Sequence, residues 1–283
     1  MQKIFNLILV GMFISFSFCE EGEGYRFVNT LYEKSYIDME TFNEFSFGRY
    51  DYISTFSGRL TNEVQKTEPV ANNRTIIQTW SNIIASSRRN DKVKPNHEAQ
   101  KLNGASYTII IDSTGVVESM VGNNDVAKES LEQMGSMSDI FGYSNYVYPF
   151  GSDSLRKVGD TWTVSKEKKT EAPVFGLDKF KGTIHETTTY TFKKLKKKKG
   201  ELIAYIKTSH TYELKGVGTN WDETIEFTQT GELKGEMRFN ITKGVIVRGK
   251  NSGRFYGRGK SLDDDKSRSF SMNIDIGFKQ KIK

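Results

Sequence analysis

The sequence predicts a mainly β protein, built on antiparallel strands with a single helix. Three observations carry that expectation. Thr, Tyr, Phe, Ile and Val recur in alternating runs, which is the period of half-buried strands. One stretch, about residues 124–138, shows sustained helical spacing behind a capping residue. The 283 residues hold only 4 prolines, at 69, 95, 149 and 173, and no Pro-rich or Gly/Ser-rich linker marks a second domain.

The N-terminal half runs to about residue 121. Within Tyr25 to Phe47, the Leu31, Lys34, Ser35 and Ile37 spacing could begin a helix, but Tyr36-Ile37 and Phe45-Ser46-Phe47 favour strand. From Arg49 to Gln65 a polar-aromatic strand pattern puts Tyr50, Tyr52 and Ser54 on one face. Ile76, Ile77, Trp80, Ile83 and Ile84 in Arg74 to Ser86 fit a helix as well as a strand. Threonine and isoleucine are stiff at χ1, which tips the choice to strand. Arg88 to Gln100 is polar and reads as a loop. Ala105–Asp112 and Val116–Val121 form a hairpin about Asp112-Ser113-Thr114-Gly115, whose glycine can take positive φ.

Asn124 or Asp125 caps the helix, and Val126, Ser130, Leu131, Met134 and Met137 fall largely on one face. A methionine-bearing face suits a greasy ligand, but its commoner role is packing on a sheet. The helix links the two halves, and the C-terminal half starts from about residue 149. There Trp162-Thr163-Val164 begins a strand. Thr183–Lys194 and Leu202–Leu214 form a long hairpin whose lysine-rich turn is closed by Gly200. Strands follow at Thr224–Glu232, Glu236–Ile241, Val245–Lys250, Arg254–Gly259 and Ser269–Ile282. Gly249, Gly253, Gly257 and Gly259 suggest tight bends or bulges.

The hairpin register bears on the histidines, of which there are three: His97, His185 and His210. The apolar set is mostly even-numbered on both arms, from Ile184 to Phe192 and from Leu202 to Leu214. A turn centred on Lys198 would put Glu186 opposite His210 and turn His185 to the other face. That argues against a shared His185/His210 metal site and for a Glu186–His210 polar contact.

Residues 1–19 read as an export signal. Lys3 is followed by an apolar run from Ile4, and Ser17 and Cys19 stand at −3 and −1 before Glu20. The run is shorter than the roughly 20 apolar residues a membrane helix needs. Cleavage after Cys19 leaves 264 residues (283 minus 19) and no cysteine, since the chain has one. Disulfides, thiolate metal sites and cysteine nucleophiles are then excluded. The rival reading makes Cys19 a lipidated first residue, the only route here to membrane association. Phe18 before it is a poor lipoprotein junction. The net charge of +6 is modest, and Lys193, Lys194 and Lys196 to Lys199 form its densest cluster. No aromatic alternates with these lysines in the sequence, so a solvated hairpin turn is favoured over nucleic-acid binding.

Catalytic constellations are few. The sequence has no His-Glu-x-x-His helix, phosphate-cradling glycine loop or Gly-x-Ser-x-Gly elbow. His97 lies in a polar stretch beside Pro95 and Glu98. Asp263-Asp264-Asp265 lacks the spacing and glycine of a calcium loop and reads as an exposed turn. Asn73-Arg74-Thr75 and Asn240-Ile241-Thr242 have the form of glycosylation sequons. No catalytic, cofactor-binding or metal-binding residue is assigned.

Lys157-Val158-Gly159-Asp160-Thr161-Trp162 makes a turn at Gly159-Asp160, with Trp162 anchoring the strand that follows. This segment resembles the Val-Gly-Asp-Ser/Thr-Trp signature of a family of secreted or lipid-anchored bacterial envelope proteins of unknown function. Asp112-Ser113-Thr114-Gly115-Val116-Val117 resembles that family's turn before its central helix, and the order of elements matches. The resemblance covers roughly Arg49 to the C-terminus. It departs at the proline missing before Leu155 and at the Phe18-Cys19 junction. The family carries no catalytic residues across. At fold level its layout is similar to the curved antiparallel sheets of envelope lipid and lipoprotein carriers, an analogy that says little about function.

The expectation is therefore a signal peptide over residues 1–19 and a single β-rich domain over residues 20–283. Its fold would be a strongly bent, half-barrel-like antiparallel sheet with one central helix. Its function would be that of a non-catalytic periplasmic, cell-envelope or extracellular protein, holding a hydrophobic small molecule, lipid or lipidated partner in the concave sheet. The alternative is a structural or adhesive module that binds protein or glycan through the sheet surface. No cofactor or nucleic-acid partner is expected.

Overall fold

Strict alternation decides which face each strand buries. In Lys34–Phe47 the odd positions Ser35, Ile37 and Met39 are buried while Tyr36 and Asp38 between them are partly open. The computed structural model describes residues 24–27, 33–47, 50–65, 74–89, 92–111, 117–131, 154–171, 177–220, 223–264 and 266–282. The signal segment, the turn 112–115, Met134, Met137, Asn73 and Asp265 lie outside them.

The strands are β1 (Lys34–Phe47), β2 (Tyr50–Val64), β3 (Arg74–Arg89), β4 (Lys92–Pro95), β5 (Ser106–Ile111) and β6 (Val117–Gly122) in the N-terminal half. The C-terminal half holds β7 (Thr161–Thr170), β8 (Asp178–Lys198), β9 (Glu201–Asn220), β10 (Glu223–Asn240), β11 (Val245–Ser261) and β12 (Ser267–Ile282). A single helical turn, α1 (His97–Gln100), follows β4, and residues 125–131 form helix α2. The polar stretch expected as a loop thus carries a short exposed strand and a helical turn. β4 finds backbone partners along the end of β3, from Arg89↔Lys92 to Ser86↔Pro95.

All strands join one antiparallel sheet in the order β6-β5-β3-β2-β1-β12-β11-β10-β9-β8-β7, with β4 beside β3. It is a meander whose last strand returns to pair with the first, over Ser35↔Ile282 to Phe47↔Phe270. Among the described residues β6 and β7 remain unjoined, so the sheet is open and is not a closed barrel. The fold class is the expected one: mainly β, antiparallel and bent. One cluster of buried side chains spans the inner face of both halves, from Ile109, Ile76 and Leu60 to Phe255, Leu214 and Tyr190.

Glycines explain the bend. The segments expected at Thr224–Glu232 and Glu236–Ile241 merge into one strand, β10, which ends at Asn240, and Val245–Lys250 and Arg254–Gly259 are one strand, β11. The glycines in them interrupt neither strand. The one register shift between β10 and β11 lies at Arg238/Phe239. Instead, Phe255 lays its ring where a Cβ on Gly231 would stand, Phe270 does so at Gly257 and Phe278 at Gly249. At Gly253 a Cβ would come within 1.8 Å of the Glu232 carbonyl oxygen, so the two backbones meet as only glycine allows.

The long hairpin corrects the expected register. Its loop is Lys199-Gly200, both at positive φ (51° and 82°), as in a type I′ turn. That turn pairs Lys198 with Glu201, a pairing of even with odd. A bulge between Phe192 and Lys194 then restores even with even, so Thr188, not Glu186, stands opposite His210.

Helix α2 starts as expected. Asn124 caps it, its Oδ1 accepting the Ala127 N–H at 3.0 Å. The helix backbone rests on Gly122, where a Cβ would lie 2.6 Å from the Lys128 nitrogen. Ala127 and Ser130 are buried, and Tyr107 and Ser130 share a hydrogen bond at 2.5 Å. The described turns therefore pack on the inner face at β5 and β6.

Candidate functional site

The Val158–Trp162 motif is architectural. Asp160 N–H donates to the Lys157 carbonyl at 3.0 Å, and the Asp160 carboxylate accepts the Lys157 N–H at 2.8 Å. Gly159 between them sits at φ 102°, which the turn requires. Trp162 then stacks on Phe27, at 5.5 Å, and on Tyr190, at 5.3 Å, with the Arg156 guanidinium 5.1 Å from its ring centroid.

Among the described residues an ionisable cluster stands on the inner face of β7, β8 and β9. Lys166 is paired with Glu186 and Glu186 with Tyr212 in register, while His210 lies diagonally from Glu186. The Thr188 hydroxyl and His210 Nδ1 are 2.8 Å apart, and His210 Nε2 is 4.0 Å from Glu186 Oε1. Burial, then the Lys166 charge, pushes His210 down to about 4. Glu186 would favour the imidazolium, but its Oε1 stands 4.0 Å from Nε2, beyond hydrogen-bond reach of that nitrogen, and desolvation wins. Hydroxyl, imidazole and carboxylate thus converge, with Thr188 and His210 buried in the sheet face. The expected Glu186–His210 contact exists in this looser form. His185 faces outward beside Glu167 at 3.4 Å, so the two histidines project from opposite faces.

A second inner-face feature was invisible in the sequence. Gln229 is 0% exposed, and neither its amide oxygen nor its nitrogen has a hydrogen-bond partner. Register places it between Leu214 and Gly257. By contrast, Thr208 donates to Asn251 at 2.8 Å across Gly235, and Gln78 donates to Asn62 at 2.9 Å.

An open groove lies on the outer face. Of about 1040 Å³, it crosses β2, β1, β12 and β11, with Asp38, Glu40, Arg59, Arg248, Lys250 and Lys279 among its walls. Phe42, partly exposed, adds an apolar surface. Nothing lies within 4 Å of where a Cβ on Gly277, in the groove lining, would stand. Arg59 Nε donates to Asp38 at 2.7 Å and Lys281 to the same carboxylate at 3.1 Å. The Arg59 hydrogen bond is the main reason that carboxyl sits below its ordinary range.

Other candidates fall elsewhere. His97 is exposed on α1. Asp263 accepts the Thr224 N–H and Asp264 holds Lys266, so both serve the turn before β12. Asn240 is buried and bonded to Glu201 and the Lys243 N–H, which ties up the amide of that sequon. The lysine hairpin does meet an aromatic, on the neighbouring strand: Lys194 and Lys196 lie 4.8 and 5.7 Å from the Tyr205 ring, with Arg238 at 5.2 Å. Among the described residues no group of three or more His, Cys, Asp or Glu is placed to hold a metal.

No family model matches the chain, and no curated protein matches it. Among solved structures, the crystal structure of Pseudomonas aeruginosa OccK11 (OpdR) aligns over 91% of this chain and 99% of its own. The identity is 7% and the TM-score 0.20, a likeness that carries no argument about this chain.

Proposed function

We propose that this is a non-catalytic, exported adhesive module that binds a glycan on the outer face of its sheet, in the groove over β2, β1, β12 and β11. The groove itself carries the reading. Outward side chains leave about 1040 Å³ open, walled by hydrogen-bonding groups and the face of Phe42, while inner-face side chains such as Phe255 and Leu214 close on one another. Carboxylates and guanidinium groups suit sugar hydroxyls, and a half-open ring suits the apolar face of a sugar. The pattern of residues 1–19 and the envelope-family resemblance support an exported location, periplasmic, cell-envelope or extracellular. Membrane attachment follows only if Cys19 carries lipid.

The test is an oligosaccharide array probed with the wild-type chain and with Gly277→Trp. A Cβ at residue 277 meets nothing within 4 Å, so an indole there projects from open space in the groove lining. Wild-type signals that vanish in the variant are expected. An array with no wild-type signal, or signals untouched by the variant, would remove the reading.

Gln229 favours a second reading, a hydrophobic ligand or lipid held against the inner face. A buried amide without partners costs about 1–3 kcal/mol, and a ligand's ester or amide could meet it. Native mass spectrometry of the purified chain decides here. Co-purified lipid that disappears in Gln229→Leu supports this reading, and a clean protein mass in both defeats it.

A further inference from the structure

One row of directly paired residues crosses the outer face beside the groove. From β8 to β2 it reads Lys194, Tyr205, Arg238, Arg248, Lys279, Asp38 and Arg59. Six steps between neighbouring strands make it roughly 29 Å long. Arg238, Arg248 and Lys279 stand on three consecutive strands, cation opposite cation. Like charges placed directly opposite destabilise a sheet. Asp38, next in the row, does not offset them, because Arg59 and Lys281 already bond its carboxylate.

The next row shows what stability alone would arrange. It reads Lys207, Glu236, Lys250, Gly277, Glu40 and Ser57, so charges of opposite sign stand opposite each other or across the open glycine. The cation row breaks that rule at the rim of the groove, where Arg248 and Lys279 also form the wall.

We propose that the row binds the acid groups of an acidic polysaccharide laid across the strands, its hydroxyls reaching the groove. The proposal rests on the outer-face reading above and names its ligand class. Arg238 and Arg248 present planar forks that match carboxylate or sulfate. Glu40 and Asp275 in the groove accept hydrogen bonds from sugar hydroxyls. A DNA phosphodiester backbone carries the same sign of charge but has no free hydroxyls to donate to those carboxylates. Tyr205 is the row's one aromatic and already lies under Lys194 and Arg238, so successive bases find no stack of platforms.

The experiment measures binding of fluorescent oligogalacturonate to the purified full chain by anisotropy, over a salt series. The wild type should bind it, bind neutral dextran far less, and weaken as salt rises. Arg248→Ser with Lys279→Ser should weaken binding by about 10-fold or more. That variant relieves opposed charges and should melt at or above the wild-type temperature, so lost binding is not lost folding. Lys260→Ser with Lys266→Ser, at the far end of β11 and in the turn beyond it, should bind as wild type. Equal loss in that pair would mean diffuse net charge and overturn the proposal. So would no binding, or tighter binding to a thymidine oligonucleotide or to phosphatidylserine vesicles. Gly277→Trp separates the two readings. If it alone abolishes binding, the groove stands and the cation row falls; if the Arg248/Lys279 pair alone does, the row stands and the groove falls.

Discussion

The two halves of the sheet bury their inner faces by different means. From β7 to β12 the floor is aromatic and glycine-spaced, with Phe255 over Gly231, Phe270 over Gly257 and Phe278 over Gly249. From β1 to β6 it is largely aliphatic and crossed by a polar row, Ser35, Asn62, Gln78 and Tyr107, paired strand to strand. That row ends at Ser130 on α2. The first half adds two buried side-chain hydrogen bonds, Gln78 to Asn62 and Tyr107 with Ser130, to its aliphatic packing. The second is held by rings filling the space that missing side chains leave, which also lets its backbones close up and the sheet curve. Glycine in this sheet acts as a receptor for a ring or a carbonyl more often than as a turn.

The sharpest way to break this contrast is Gly253→Ala. One methyl group would meet the Glu232 carbonyl oxygen at 1.8 Å, a backbone atom that cannot swing aside. A loss of about 4 kcal/mol or more is expected in urea unfolding, in the range of the most damaging point changes. A loss under about 1 kcal/mol would mean that β10 and β11 do not approach this closely.

Second in size is the effect of acid on His210. Its folded value, about 4, lies below its ordinary 6.5, so the native state keeps the ring neutral while the unfolded chain protonates it. The contribution is complete above pH 6.5 and is lost as pH falls from there toward 4. The depression corresponds to about 3 kcal/mol. Wild-type stability at pH 7, 5.5 and 4 should fall more steeply than that of His210→Gln, by about that amount across the range. Glu186 and Lys166 remain in both, so parallel curves would show that His210 does not titrate as described.

The polar row of the first half predicts a smaller effect. Asn62→Leu removes the acceptor of the buried Gln78 amide and leaves that N–H unmet. A loss of about 2 kcal/mol is expected. Asn62→Leu with Gln78→Leu should recover part of it, because two apolar groups leave nothing unsatisfied. A double variant worse than the single would show that the pair packs more than it bonds.

Much of the fold was legible because its signals are local. Period-two alternation marked the strands, Asn124 marked the start of α2, and Gly159-Asp160 with Trp162 marked a turn and an anchor. The misses have physical causes. A two-residue turn at Lys199-Gly200 and a bulge near residue 193 each shift register, and together they restore parity while moving Glu186 off His210. Gly249, Gly253 and Gly257 read as bends or bulges because the rings and the carbonyl that occupy their space come from other strands. The cation row was not legible at all. Arg248, Lys279 and Asp38 become neighbours only when β12 returns to β1.

The smallest prediction tests the same idea from its opposite side. Gly277 lies on β12 among the groove residues, and a Cβ there meets nothing within 4 Å. Its backbone is already extended and paired, with Glu40 on one side and Lys250 on the other. Gly277→Ala should therefore leave the fold intact and stabilise it by about 0.5 kcal/mol, through the freedom removed from the unfolded chain. Denaturant unfolding of Gly277→Ala beside Gly253→Ala compares two glycines on paired strands of one sheet. Opposite signs are expected, because at residue 253 the neighbouring backbone uses the missing methyl's place, and at residue 277 only solvent does. Equal losses at both sites would mean that glycine matters here for backbone conformation and not for space.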